Sequence, residues 1–375
     1  MTNGTSQPRQ PGANGHAARR IGNAPTADGG YALITGGSGF IGANLAHRLL
    51  REGERVVLYD NLSRAGVARN YEWLREQHGS RVALHKADIR DAEALASVVN
   101  KAHSVFHFAA QVAVTTSLHT PLDDFAVNAV GTLNLLEALR AHRDPPPLIF
   151  TSTNKVYGAL ENVALRLNRE RYEPVDVETR TRGISEQQPL SFYSPYGCSK
   201  GAADQYVLDY ARTFGLPALV FRMSCIYGPR QFGTEDQGWV AHFLIRALEG
   251  EPITLYGDGR QVRDILFVDD LVQAFVLARQ RAGELRGEAF NIGGGPANVN
   301  SLLEVVEFIA TLEGVPPQID WGDWRPGDQR YYVSDTRKFQ EATGWQPRVG
   351  IQEGMGLLRD WLREANIARP SEALA

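Results

Sequence analysis

With 375 residues, 43% of them hydrophobic and 22% charged, the chain has the length and composition of one large or two modest globular units that bury a core without metal or disulfide staples. Its 39 basic and 43 acidic residues leave a net charge of -4, which excludes global recruitment of nucleic acid or an anionic membrane, so an anionic ligand has to be held by local groups. Two cysteines, Cys198 and Cys225, exclude a disulfide scaffold and a thiolate zinc site and point to a reducing cytoplasm.

No apolar run reaches the roughly 18 residues of a membrane span. Residues 1–30, rich in Gly, Pro, Ala, Asn and Arg and lacking the apolar core of a signal peptide, read as a disordered tail, and 366–375 as a flexible one. From Tyr31 onward short apolar runs alternate with stretches of helical period. Strands are expected at 31–35, 55–59, 82–86, 104–108, 148–151 and 218–222, and helices at 41–51, 67–78, 92–100, 121–141 and 193–214. In 121–141, Phe125, Val127, Val130, Leu133, Leu136 and Leu139 are spaced mostly by three, which predicts one long, largely buried helix. This alternation builds an α/β fold, a doubly wound parallel sheet of Rossmann type spanning 31–228. The polar, charge-rich insertion 159–189 is longer than an ordinary strand–helix connection and suits a lid. Beyond Gly228 the elements shorten around Gly and Pro turns, which predicts a smaller C-terminal substrate-binding lobe over 229–365 that exchanges strands and helices with the first.

Gly36, Gly39 and Gly42 fall between the first strand and the first helix, where they allow a tight turn, close approach to a pyrophosphate, and close packing of helix on strand. Asp60 ends the second strand 18 residues after Gly42, placed to accept hydrogen bonds from an adenosine ribose. A carboxylate there favours NAD over NADP, although Arg64 close by is able to accommodate a 2′-phosphate. Asp88 and Ile89 end the third strand near the expected adenine, and Phe40, Ile41, Asn61, Ser63, Ala109, Gln111 and Asn128 complete the candidate cofactor set with Tyr196 and Lys200.

Tyr196 and Lys200 lie four apart on one helix face, so the ammonium is expected near the phenol, lowering its pKa from about 10 toward neutrality and making it a general base. The strand ending Thr151-Ser152-Thr153 supplies a hydroxyl beside it. Arg230, Arg263 and Arg325 are candidate holders of a diphosphate, with Gln231, Asp236, Gln237 and Asp328 near base or sugar. His107 reads as a structural histidine, Cys225 as strand-end packing, and the nine histidines show no metal-ligand spacing, so no metal is expected.

These strings, TGGSGFIG at 35–42, HFAAQ at 107–111, TSTNKVYG at 151–158, SPYGCSK at 194–200, YGPR at 227–230 and RDILFVDD at 263–270, resemble the extended short-chain dehydrogenase/reductases, the group of nucleotide-sugar epimerases and dehydratases. The resemblance implies a catalytic Thr153, Tyr196 and Lys200, with Ser152 as the alternative hydroxyl, and substrate contacts from Arg263 and Arg325 with Arg230 as a further one; Thr153 and Asn154 complete the candidate substrate set. Dehydratases of the group carry an Asp-Glu pair after the catalytic Thr, whereas this chain has Asn154-Lys155, which argues against dehydration. The longer strings at 153–158, 194–212 and 221–240 resemble the CDP-paratose (CDP-tyvelose) 2-epimerase subgroup, which implies a CDP-hexose inverted at C2 through a 2-keto sugar. A 4-epimerase of a UDP- or CDP-hexose, a net dehydrogenase, and a non-catalytic NAD-binding regulator are the alternatives. Relatives dimerise through the helices expected here at 121–141 and 193–214, which implies a homodimer or higher homo-oligomer.

Overall fold

Seven short runs rich in Val, Ile, Leu and Phe pair in parallel, in the order Ala289–Ile292, Ala218–Met223, Leu148–Thr153, Ala102–His107, Tyr31–Thr35, Val56–Tyr59, Val82–His85. Helices cover both faces, so strand Leu148–Thr153 is buried at every residue, without polar–apolar alternation, although only Leu148–Phe150 are apolar. The computed structural model describes residue 1 and residues 29–367, and the tails expected at 1–30 and 366–375 fall largely outside the described residues. Thr35 pairs with Tyr59 on one side and His107 on the other. The strand order therefore reverses at the C-terminal end of the first strand, which opens the crevice that such sheets use for ligands.

The seventh strand, Ala289–Ile292, comes from beyond residue 228 and pairs with Ala218–Met223. Helix Val268–Gln280 likewise returns to pack Phe275 against Phe106, Phe108 and Phe221. The four-residue strand, with Asn291 inside it, carries too weak a pattern to be read as a strand from sequence.

The long helix expected at 121–141 is interrupted. It forms as Pro121–Phe125 and Gly131–Arg140, joined by a π turn over Ala126–Val130. Asn128 lies inside the turn and spends its side chain on the neighbouring chain: Oδ1 accepts from Gln111 N at 2.9 Å, and Nδ2 donates to Ser199 Oγ at 3.0 Å. π turns of this kind occur frequently at functional sites. Nor is the apolar stripe fully buried, since Phe125 and Val130 are exposed, as is neighbouring Leu122.

The second lobe packs helices Trp239–Glu249, Leu302–Glu313 and Ile351–Glu364 over the strand pair Ile253–Tyr256 and Ile319–Gly322. Strand Val262–Phe267 joins the lobes by pairing with Cys225–Tyr227, Val299–Ser301 and Tyr331–Tyr332. The insertion 159–189 is not a lid, because none of its residues lines the cleft. It folds as a hairpin, Leu165–Asn168 with Arg171–Pro174, and a short helix, Val177–Arg182. Leu160 and Ile184 bury against Tyr331, Tyr332 and Val333, while Tyr172 donates to Asp258 at 2.6 Å and Arg171 Nε to Glu304 at 2.8 Å. Its apolar anchors hold it on the second lobe as a brace.

Candidate active site

A cleft of about 890 Å³ runs from the glycine turn, across the C-terminal ends of the sheet, into the second lobe. At its first end the backbone of Gly36, Gly39, Phe40, Ile41 and Gly42 forms the wall. Gly36 has φ 66°, and a Cβ there would sit 2.7 Å from Ala109 N, so only glycine lets the turn close against the neighbouring strand's exit. A Cβ on Gly42 would meet Gly36 O at 2.6 Å, which fixes helix Phe40–Arg51 with its N-terminal amides facing the cleft. Asp60 accepts from Ser38 N at 2.9 Å and Leu62 N at 2.8 Å; burial raises its pKa, and those amides and nearby Arg64 act against that. Asp88 is held well below the usual carboxylate range, chiefly by the Arg90 guanidinium, and also accepts from Asn61 at 3.1 Å. Ser63, Arg64, Ile89, Ala109 and Gln111 line this same end.

Asn128 does not. Its amide is fully engaged with Gln111, Ser199 and Asp124, so it positions the wall of the cleft and does not face a ligand.

At the centre, helix Ser194–Thr213 brings Tyr196 and Lys200 under strand Leu148–Thr153. The Thr153 side chain stands beside the Tyr196 phenol and acts to lower its pKa. Lys200 Nζ donates to Thr151 O at 2.6 Å and sits 4.2 Å from the Phe150 ring centroid. The Lys200 effect expected on Tyr196 is overturned: burial pushes the phenol up to about 12 and the Lys200 ammonium down to about 7. Desolvation outweighs the pairing because both groups are almost wholly enclosed. Ser152 Oγ lines the cleft, buried and without a hydrogen-bond partner.

Asp124 was missed by sequence reasoning. It is fully buried, bonds Ser199 Oγ and Asn128 Nδ2, and its charge acts on both Tyr196 and Lys200. The available signal was an acid on the apolar side of a helix, four residues before Asn128.

Toward the second lobe Lys155, from the turn after strand Leu148–Thr153, lines the cleft with Gln231, Asp236, Gln237, Arg263, Arg325 and Asp328. Arg263 Nη2 is 3.7 Å from Asp328 Oδ1, and Arg325 stacks 3.6 Å from the Tyr256 ring centroid while pairing with Glu235 at 3.0 Å. Arg230 and Asn154 are not brought in. Arg230 adopts φ 73°, which turns its guanidinium away from the cleft to lie 3.7 Å over the Trp73 ring, in a separate cavity with Arg69, Phe232 and Trp361. Asn154 is buried behind Thr153, its Oδ1 3.5 Å from Thr153 Oγ1. Cys225 opens strand Cys225–Tyr227, where strand-end packing was expected, and also lines the cleft, accepting from Trp239 Nε1 at 3.3 Å. His107 is wholly buried between Thr35 Oγ1 at 2.6 Å and Thr132 Oγ1 at 2.9 Å, and burial holds its pKa down to about 3. Among the described residues no three His, Cys, Asp or Glu side chains cluster as metal ligands, and no helix is long and apolar enough to cross a membrane.

A family model described as GDP-mannose 4,6 dehydratase matches residues 33–357. The chain belongs to this family, the extended short-chain dehydrogenase/reductases that act as nucleotide-sugar epimerases and dehydratases. It is 44% identical to CDP-paratose 2-epimerase of Salmonella typhi, over 88% of this chain and 98% of that one. It is 34% identical to UDP-glucose 4-epimerase of Mycolicibacterium smegmatis, over 88% and 98%. Among solved structures, the UDP-glucose 4-epimerase of Thermotoga maritima with UDP-glucose superposes with a TM-score of 0.76 at 30% identity, over 90% of this chain and 99% of that one. The Thermus thermophilus UDP-glucose 4-epimerase in complex with NAD gives 0.74 at 34%, over 89% and 99%.

Proposed function

We propose that this extended short-chain dehydrogenase/reductase is an NAD-dependent epimerase that inverts C2 of a CDP-linked hexose. The observation that carries the reading is the meeting in one cleft of the glycine turn with Asp60, the Thr153–Tyr196–Lys200 group, and the cations Arg263 and Arg325. The glycine cradle, the helix N-terminus and the Asp60 carboxylate suit a dinucleotide, and they would hold the pyrophosphate and the adenosine ribose of NAD. When bound, oxidised NAD supplies reversible two-electron oxidation of a ring carbinol and a positive charge in the cleft.

Tyr196 takes the proton of the sugar hydroxyl and later returns it. Thr153, beside the phenol, steadies that oxygen, and the Lys200 ammonium stands one turn further along the same helix. Enclosure keeps the resulting keto sugar in the cleft while it turns its other face, so oxidation and reduction cancel and no net redox change occurs. Asn154-Lys155, in place of a carboxylate pair, supports epimerisation over dehydration, and the 44% identity to a CDP-paratose 2-epimerase supports CDP and C2. The likeness to UDP-glucose 4-epimerases, with a TM-score of 0.76, favours inversion at C4 as the second reading.

The test is NMR of the protein incubated separately with CDP-paratose, CDP-glucose and UDP-glucose. Inversion at C2 of a CDP-sugar is the expected outcome, inversion at C4 moves the reading to the 4-epimerases, and NADH accumulating in solution points to net oxidation.

A further inference from the structure

Lys155 is the one side chain of the cleft's second half that leaves from the same strand end as Thr153. Its backbone N donates to Thr153 Oγ1 at 3.2 Å, which ties its position to the reacting centre. Its side chain lines the cleft, and Nζ donates to Gly327 O at 3.2 Å, the only hydrogen bond of this ammonium among the described residues. An ammonium carries three donors, so two remain for a ligand. No carboxylate lies within ion-pair distance of it among the described residues. The nearby Asp328 leans toward Arg263, with Oδ1 at 3.7 Å from Nη2. Lys155 thus bridges two stations, Thr153 and Tyr196 on one side and Arg263 with Asp328 on the other.

Resting on the epimerase reading above, we infer that the Lys155 ammonium takes an oxygen of the sugar-linked phosphate of the nucleotide sugar, and so sets which ring carbon faces Tyr196. A cation between the base and the diphosphate-binding arginines suits a carbon one bond from the anomeric centre, because C2 then meets Tyr196 while the phosphate on C1 stays within reach of the amine. A carbon across the ring would leave the ammonium facing a ring edge with no anion to pair with it. Burial is the main influence lowering the amine's pKa to about 8; Arg263 lowers it further, and Asp328 and Cys225 act against that. The group is therefore mostly a cation at neutral pH and loses its charge in mild alkali.

The experiment compares binding of CDP with that of CMP, which lacks the second phosphate, by calorimetry on the wild-type protein and on Lys155→Met and Lys155→Arg. Loss of a charge-assisted hydrogen bond predicts roughly a 10- to 100-fold weaker CDP complex in Lys155→Met, with CMP binding unchanged. Lys155→Arg restores most of the difference. Wild-type CDP affinity falls as pH rises through about 8, and that of Lys155→Arg does not. Equal weakening of CMP and CDP assigns Lys155 a structural role and overturns the inference, as does unchanged CDP affinity in Lys155→Met. Binding is read without turnover, so failure of the epimerase reading shows separately in the NMR assay. If the wild type prefers uridine nucleotides, the UDP and UMP pair tests Lys155 in the same way.

Discussion

Tyr196 and Lys200 share one enclosure that acts on them in opposite directions, up to about 12 for the phenol and down to about 7 for the amine. On the function proposed above, a base so reluctant to ionise depends on the positive charge assembled around it, and removing the phenol oxygen removes the proton acceptor. Tyr196→Phe is expected to lower kcat roughly 10²- to 10⁴-fold while nucleotide binding, read by calorimetry, is retained; near-normal turnover would assign the base elsewhere. His107 makes a prediction of another kind. Its folded pKa is near 3, against about 6.5 for a free imidazole, so between those values the unfolded chain binds the extra proton. Its contribution to stability is complete above about pH 6.5 and shrinks as the pH falls toward 3. Thermal melts should show Tm dropping from pH 7.5 to 5, with a shallower drop in His107→Gln; an unchanged slope would place the effect in other groups. The residues legible in the sequence were those whose meaning lies in local spacing, such as Gly36, Gly39, Gly42, Tyr196 and Lys200. Arg230 was misplaced because its left-handed backbone and its stacking on Trp73 depend on a helix more than 150 residues away in sequence. Desolvation of Tyr196 was equally invisible, since spacing reports neighbours on a helix and not what encloses them.

Helix Ser194–Thr213 carries two of the three candidate catalytic groups, and its attachment to the sheet decides where they stand. Asp204, on its inner face, makes a two-pronged pair with Arg222 of the adjacent strand, with both contacts at 2.9 Å. Arg222 also donates to the Tyr157 hydroxyl at 3.2 Å, and that hydroxyl donates to Asn291 at 2.7 Å. One buried chain of bonds therefore runs from this helix to the seventh strand. Asp204→Asn would leave the Arg222 cation enclosed without an anion, a loss of about 3–5 kcal/mol in stability by chemical denaturation. A small change would mean that water or another group reaches Arg222. Element positions are legible in the sequence wherever apolar runs are long. The π turn at Ala126–Val130 is not, because apolar spacing does not register one extra residue per turn when Asn128 diverts its amide to Gln111 and Ser199. The insertion 159–189 suits a lid on length and charge alone, although Leu160 and Ile184 are the residues that anchor it.

Leu122, Phe125 and Val130 stay exposed around the π turn, as do Tyr206 on helix Ser194–Thr213 and Phe214 just past its end. Clustered apolar exposure of this kind marks an association surface, and a second copy of the chain, pairing these helices, is the occupant we propose. Phe125→Glu combined with Leu122→Glu should convert a dimer to a monomer in light scattering, with circular dichroism unchanged. A native protein that is already monomeric would remove that proposal. The doubly wound sheet itself was legible because alternating strands and helices leave few other folds. The seventh strand was not, since Ala289–Ile292 takes its place through pairing with Val220 to Met223 and not through its own pattern.

The return of residues 268–292 to the sheet, after the chain has already built part of the second lobe, leaves no single peptide bond at which the two halves come apart. A fragment ending at residue 228 would bare the edge of strand Ala218–Met223 and the aromatic face that Phe275 covers. The lobes therefore melt together. On the function proposed above, a dinucleotide bound at one end of the cleft and a nucleotide sugar bound at the other would raise the same transition.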